Sequence, residues 1–270
     1  MSTNQPDWQR IAEKFDYWLP YIAPVGEILI ESVAVRPGDR LLDVACGTGE
    51  PGLTVARRLG SQVQVTLTDA AEGMIGAARK KAQREGLDNV QFSAMPAHEL
   101  NFPDCTFDRV LCRFGVMFFP DPVVGLGKIW RVLKPGGRFA LAVWAGADRM
   151  PLMRISAEVI NPLLPPDTPK VALAQVTSLG AEGVLDAALQ AAGFSNFTIS
   201  HHELEYIFPS FDAYWDLTES SEIIKQQMDA LTPEQQAMVR DEVANLARAY
   251  HTKDGTLVLP HTYIVASGTR

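Results

Sequence analysis

Three glycines, Gly47, Gly49 and Gly52, follow a short apolar run in the stretch LLDVACGTGEPG and form a Gly-x-Gly-x-x-Gly spacing. Glycines placed there let the backbone approach a ligand closely, and a helix starting behind them offers unpaired N–H groups to an anion. An aspartate, Asp43, precedes the loop, and the loop itself contains neither lysine nor arginine. Asp69 stands twenty residues beyond Gly49, at the end of the alternating run Val63–Thr68. An acid at that point can accept both hydroxyls of a ribose. The constellation therefore suits a ligand that carries an adenosine.

Two adenosine ligands meet these requirements, NAD and S-adenosylmethionine, and they differ at their other ends. A dinucleotide lays two phosphates against the loop, where the Asp43 carboxylate is badly placed. S-adenosylmethionine presents an ammonium, a sulfonium and one carboxylate. Asp43 can orient the cationic groups while helix N–H groups take the carboxylate. Alternatively, Asp43 pins the loop by accepting backbone N–H groups. Both roles are compatible with a cationic ligand, and the balance favours the sulfonium.

The elements that position these residues follow from periodicity. Arg40–Ala45 is a short apolar run suited to a strand buried on both faces, and Leu53–Leu59 continues from the loop as helix. Val63–Thr68 is a second strand, Met74–Glu85 a helix stopped by Gly86, Val90–Ala94 a third strand and Phe107–Arg113 a fourth. Asp121-Pro122 caps a helix carrying Leu126, Ile129, Trp130 and Leu133, and Pro135-Gly136-Gly137 ends it before a fifth strand, Arg138–Trp144. Strands alternating with helices of this length imply a doubly wound, Rossmann-like sheet. Ala147–Ser178 reads as irregular and Pro-rich. A helix around Leu185–Ala192, a long strand over Phe197–Phe208 and a last strand over Thr262–Ala266 complete the core. Thr232-Pro233-Glu234-Gln235 has the capping-box form, with Val239, Val243, Leu246 and Tyr250 on one face of the helix behind it.

The fold expected is α/β: a seven-stranded, mostly parallel sheet with an antiparallel last strand, plus a helical cap. Residues 1–30, which include Trp8, Phe15, Tyr17, Trp18 and Tyr21, form an N-terminal helical lid that packs on the sheet and lines the pocket. Residues 31–208 and 256–270 form the core, and 209–255 a helical cap insertion.

The segments LLDVACGTG, TLTDA, LNFPDCTFDRVLCRFGVMFF and RVLKPGGRFAL, in that order, resemble the class I S-adenosylmethionine-dependent methyltransferases. The resemblance is to the ubiquinone/menaquinone-biosynthesis C-methyltransferase-like group, and it covers roughly residues 10–145. It implies that Ala45, Gly47 and Gly49 form the loop along the methionine side of the cofactor; Asp43 is counted with them as a cofactor-binding residue. Asp69 holds the ribose, and Ala70 and Met74 flank the adenine. Where the family usually has an aspartate that bonds the adenine amino group, this chain has Pro96. Adenine recognition is then expected to rest on packing, on the backbone of Met95 and Ala97, or on His98. Arg113 and Phe114 would lie beside the methionine moiety. The family's N-terminal tyrosine matches Phe15, leaving Tyr17 or Tyr21 to substitute.

Methyl transfer from a sulfonium needs alignment and exclusion of water more than a nucleophilic side chain. A general base helps where the acceptor must shed a proton, and the candidates are His98, His201, His202, His251 and His261. His201 and His202 are adjacent on an expected strand and point to opposite faces, so they cannot share a metal. No catalytic residue and no metal ligands are assigned. Tyr17, Trp18, Tyr21, Met117, Phe118 and Trp215, together with Phe119, suggest an apolar or aromatic acceptor, each having core packing as its alternative role.

Bulk composition limits the other classes. The formal net charge is −8 and the densest basic cluster, Arg79-Lys80-Lys81 with Arg84, falls at a helix end where the helix dipole favours it. Nucleic acid is not an expected partner. The three cysteines show no metal spacing and suggest a reducing cytoplasm. The N-terminal residues lack the form of a signal peptide, and no apolar run approaches the ~18 residues that span a bilayer. The expected partner is a small-molecule methyl acceptor, and a homodimer through the aromatic N-terminal helix is compatible with the sequence. Two other readings stand beside the methyltransferase: an NAD(P)-dependent oxidoreductase, for which no Tyr-x-x-x-Lys site is recognisable, and a non-catalytic S-adenosylmethionine-binding protein.

Overall fold

The computed structural model describes residues 11–270 apart from 13, 167, 169, 171 and 172. Trp8 and the first ten residues of the expected lid lie outside the described residues. Seven strands form one sheet in the order β3-β2-β1-β4-β5-β7-β6. They are β1 (Arg40–Val44), β2 (Gln64–Asp69), β3 (Val90–Ala94), β4 (Phe107–Arg113), β5 (Leu133–Trp144), β6 (Asn196–Phe208) and β7 (Leu257–Thr269). β1 to β5 are parallel, and β7 runs antiparallel to both of its neighbours. Order reverses between β1 and β4, and open α/β sheets bind ligands at the carboxyl edge beside such a reversal.

Helices cover both faces. α1 (Leu19–Val33) buries Val25, Leu29 and Val33 completely in the main core. Each such side chain contributes about 1.5–3 kcal/mol by leaving water. α2 (Gly52–Leu59) follows the glycine loop, α3 (Glu72–Arg84) follows Asp69, and α4 (Pro122–Val132) precedes β5. The Asp121 carboxylate caps α4 by accepting from the amides of Val123 and Val124 at 2.9 and 3.1 Å.

α4 ends at Val132, and β5 begins at once, five residues earlier than the spacing suggested. Pro135-Gly136-Gly137 lies inside this strand rather than ending a helix, and the register with β4 shifts between Phe107 and Arg109. The region expected to be irregular contains α5 (Pro151–Ile160), which buries Leu152, Ile155 and Ile160. Proline at its first position is compatible with a helix start, so the prolines there marked a boundary. Two shorter helices follow, α6 (Leu173–Val176) and α7 (Val184–Ala191).

The last strand is also longer than expected: β7 pairs with β6 along thirteen positions, Leu257 to Thr269. Pro260 lies within it, opposite Glu205 of β6. It is tolerated because β5 joins β7 only from Tyr263 onward, leaving one strand neighbour at Pro260. Between β6 and β7 come α8 (Phe211–Ser220), α9 (Glu222–Asp229) and α10 (Pro233–Ala247). The capping box at Thr232 and Gln235 is formed in full. Among the described residues no helix is long and apolar enough to cross a membrane, and no three His, Cys, Asp or Glu side chains gather as a metal would require.

Candidate functional site

β1 delivers the chain into the glycine loop at the carboxyl edge of the sheet. Ala45 turns the corner with φ +54, and Gly47 (φ +55) and Gly49 (φ +108) continue in the left-handed region that favours glycine. The loop is tied to β2 on two sides: the Cys46 amide donates to the Thr68 carbonyl at 3.0 Å, and the Gly47 amide donates to Asp69 Oδ2 at 2.9 Å. Asp69 Oδ1 accepts from the Ala71 amide at 2.9 Å. One carboxylate thus holds the loop and the start of α3 together, and each oxygen keeps a second lone-pair direction. Burial pushes Asp69 above its ordinary carboxylate value, and the two amides oppose that shift.

Asp43 lies behind the loop rather than in it. The side chain is fully buried, its Oδ2 accepts from the Gly52 amide at 2.8 Å, and its Oδ1 has no hydrogen-bond partner. Burial pushes it up to about 7, against the opposing effects of the Gly52 amide and the Arg113 charge. Of the two roles open in the sequence, pinning the loop is the one that this geometry supplies. Gly52 has no room for a side chain, since a Cβ there would collide with Leu67 and Asp43.

A cavity of about 400 Å³ opens over the loop, within the size range of small-molecule sites. Ala45, Gly47 and Asp69 line one end, with Ala70, Met74, Met95, Pro96 and Ala97 beside them. His98 joins this end, and its buried Nδ1 has no hydrogen-bond partner. Phe15 covers Gly47 so closely that a Cβ on the glycine would come within 3.3 Å of the ring. Asp16, next in sequence, is held by Lys81 Nζ at 2.6 Å and by the Thr48 hydroxyl at 2.7 Å, and Lys81 also donates to Thr48 at 2.8 Å. These contacts fasten the N-terminal segment to the glycine loop.

Arg113 and Phe114, at the end of β4, form the middle of the cavity. The buried Arg113 guanidinium donates to the Ile22 carbonyl of α1 at 3.3 Å and to the Glu50 carbonyl of the loop at 2.9 Å. Burial lowers its pKa, partly offset by Asp43 and Glu50. Phe114 adopts φ +57, and its ring stacks on Trp144 with centroids 3.9 Å apart. Two non-glycine residues in the left-handed region, Ala45 and Phe114, therefore face the same chamber, a placement typical of binding sites.

The far end is mainly apolar, although Ser156, Thr218, Ser220 and Ser221 also line the cavity. Trp18, Met117 and Phe118 line the cavity, as does Phe119. Tyr17, Tyr21 and Trp215 do not. Tyr17 is exposed on the outside, and Trp215 is buried against Phe211. Tyr21 stacks on Tyr206 with ring centroids at 5.2 Å. Gly49 also stays out of the wall, its Cα filled in behind by Leu53 and Ala78. Leu152 and Met153 come instead from α5 and Met150 from the position just before it, Ile224 from α9, and Trp144, Tyr206 and His261 from the ends of β5, β6 and β7. The alternation Leu204, Tyr206, Phe208 marked Tyr206 as inward-facing, but nothing local showed that its strand borders a cavity.

Of the five histidines, His98 and His261 line the cavity. His202 stacks on Tyr263 and His201 is exposed on the opposite face of β6, as the edge-strand alternation requires. His251 is exposed. His261 Nδ1 lies 3.2 Å from the Leu259 carbonyl, which can only accept, so Nδ1 carries the proton. Burial lowers its pKa to about 4 and keeps the ring neutral. Cys46 and Cys112 are buried, which pushes both thiols up and makes them poor nucleophiles.

Residues 26–165 match the model of the ubiE/COQ5 methyltransferase family. The chain is 44% identical over 110 residues to the ubiquinone/menaquinone biosynthesis C-methyltransferase UbiE of Teredinibacter turnerae, a match covering 40% of this chain and 44% of that protein. It is 38% identical over 120 residues to the aklanonic acid methyltransferase DauC of a Streptomyces species, covering 44% of this chain and 54% of that one. The chain thus spans about half the length of these curated relatives. Its fold is similar to that of the YcgJ protein from Bacillus subtilis, with a TM-score of 0.59 and 21% identity, covering 92% of this chain and 98% of that one.

Proposed function

The chain belongs to the ubiE/COQ5 methyltransferase family, whose model matches more than half of it, and we propose that it transfers a methyl group from S-adenosylmethionine to a small apolar or aromatic molecule. The observation that carries this reading is one continuous cavity with a polar end and an apolar end. Asp69 and the glycine loop form the first, and mainly aromatic, aliphatic and methionine side chains, with a few serines and a threonine among them, form the second.

The residues present fit the cofactor. Asp69 would accept the ribose hydroxyls on its free lone pairs, Ala70, Met74, Met95, Pro96 and Ala97 would enclose the adenine, and Ala45 and Gly47 would lie along the methionine portion. Bound there, S-adenosylmethionine supplies an electrophilic methyl on a sulfonium. The protein's contribution is to align an acceptor in the apolar end and to exclude water. Phe15 and the α9 residues around Ile224 border the same chamber. In this reading the N-terminal segment to residue 30 acts as a lid and residues 209–255 as a cap over the core. A cytoplasmic setting is supported by three free cysteines. A homodimer rests on the aromatic N-terminal segment alone.

Calorimetry provides the test. S-adenosylhomocysteine should bind at micromolar level and NAD should not. Binding of NAD without S-adenosylhomocysteine would reverse the assignment.

A further inference from the structure

The apolar end of the cavity contains a buried tyrosine and a buried histidine. Tyr206 and His261 are 4% and 2% exposed, and both line the cavity. They sit on neighbouring strands with ring centroids 4.6 Å apart. The Tyr206 ring is held between Tyr21 and His261, and its hydroxyl, which feels the Arg113 charge, is left to serve as a donor to a ligand. His261 Nε2 is buried without a partner, while Nδ1–H is committed to the Leu259 carbonyl. That bond selects the tautomer, so Nε2 presents a lone pair. A donor and an acceptor thus stand on adjacent strands in a mainly apolar wall whose other polar members, Ser156, Thr218, Ser220, Ser221 and Glu222, come from α5, α8, α9 and the residue between the last two. Buried polar groups are normally satisfied, and leaving one unmade is costly.

Building on the methyltransferase reading, we propose that Tyr206 and His261 form a two-point subsite for a hydroxyl group of the acceptor, Tyr206 donating to the hydroxyl oxygen and His261 Nε2 accepting its proton. A hydroxyl satisfies both groups through one oxygen. A carbonyl would satisfy Tyr206 and leave Nε2 empty, a carboxylate would face the Nε2 lone pair, and an ammonium would offer nothing to the tyrosine. Burial raises the Tyr206 pKa, so the tyrosine remains a donor, and it lowers that of His261, so the imidazole remains an acceptor at neutral pH.

The surroundings specify the rest of the ligand. Trp144 meets the His261 ring at 5.9 Å, and Phe114 stacks on Trp144 from the side of the glycine loop. Trp144 pairs with Tyr263 at the carboxyl end of β5, which places His261 just beyond that edge, where the cofactor loop also opens. The occupant is a flat apolar body with a phenolic or enolic hydroxyl directed toward β6 and β7.

The test uses the intact protein saturated with S-adenosylhomocysteine and two probes of similar shape, 2-naphthol and 2-methylnaphthalene. The wild-type protein should bind 2-naphthol about tenfold more tightly, the worth of a buried hydrogen bond. In Tyr206→Phe and His261→Phe, whose rings preserve the packing, that preference should shrink to about twofold. Nitrogen-15 NMR of the wild-type histidines needs no variant: the Nε2 resonance of His261 should move on addition of 2-naphthol and stay in place with 2-methylnaphthalene. Equal affinities for the two probes, or an unmoved Nε2 resonance, overturn the subsite. If S-adenosylhomocysteine itself fails to bind, the methyltransferase reading falls first, so the two failures are distinguishable.

Discussion

Replacing Asp69 by alanine should abolish tight cofactor binding while leaving the chain folded. In the structure its two oxygens accept the Gly47 and Ala71 amides at 2.9 Å each, which shapes the glycine loop before any ligand arrives. Two remaining lone pairs are available for the ribose hydroxyls. A hydrogen bond to a charged group contributes about 1.5–3 kcal/mol, so two such bonds contribute ~3–6 kcal/mol. At 1.4 kcal/mol per factor of ten, the dissociation constant for S-adenosylhomocysteine should rise by ~10²–10⁴. Asp69→Asn serves as a shape control, because its amide keeps one acceptor but turns an N–H group toward the Gly47 or Ala71 amide. It should also bind weakly, by ~10-fold or more. Calorimetry measures the affinity, and a thermal melt verifies that each variant is folded. A folded Asp69→Ala protein that binds S-adenosylhomocysteine within about threefold of wild type would show that the carboxylate shapes the loop without touching the ribose.

Two further outcomes follow from buried and partly buried charge. Asp43 has its folded pKa raised to about 7, so between pH 4 and 7 the folded state keeps a proton that the unfolded state has released. Its contribution is fully present below pH 4 and lost as pH rises toward 7, a change on the order of 4 kcal/mol. Asp43→Asn should remove that slope in urea unfolding between pH 5 and 8. His261, lowered to about 4, works in the opposite sense below neutrality, so the comparison must be variant against parent; parallel profiles refute the assignment. Lys81→Met cuts the contacts to Asp16 and Thr48, and with Asp16 half exposed the loss of stability should stay within about 1 kcal/mol. Release of S-adenosylhomocysteine in stopped flow should nevertheless quicken about fivefold, or ~1 kcal/mol, as Phe15 loosens over Gly47; an unchanged rate would mean that the segment does not gate the cofactor.

Local chemistry was legible where it depends on neighbours in sequence. The glycine loop, Asp69 at the end of its strand, the Asp121 cap and the Thr232 capping box each involve residues a few positions apart, or one strand-loop-helix unit. Ala70, Met74, Met95, Pro96 and Ala97 were placed through the family resemblance, and all five line the cavity. The errors fell where a distant partner decides. The last strand is longer than expected, and the tolerance of Pro260 within it depends on where β5 stops. The prolines around residue 151 suggested irregularity until the core claimed one face of α5. Tyr17 and Tyr21 were plausible pocket residues by position, but one points outward and the other packs on Tyr206.

From sequence alone came the class of sheet, the place of the glycine loop, the acid at the end of the second strand and the expectation of a sulfonium rather than a pyrophosphate. These rest on backbone geometry and charge within short spans, which the chain specifies locally. The tertiary structure decided the rest: that Asp43 serves the Gly52 amide from behind the loop, that Arg113 ties α1 to that loop, and that the apolar end of the cavity draws on α5, α9 and the tips of β6 and β7. A side chain on a strand has two possible faces, and only the pairing of β6 with β7 and of β7 with β5 turns Tyr206 and His261 toward the chamber.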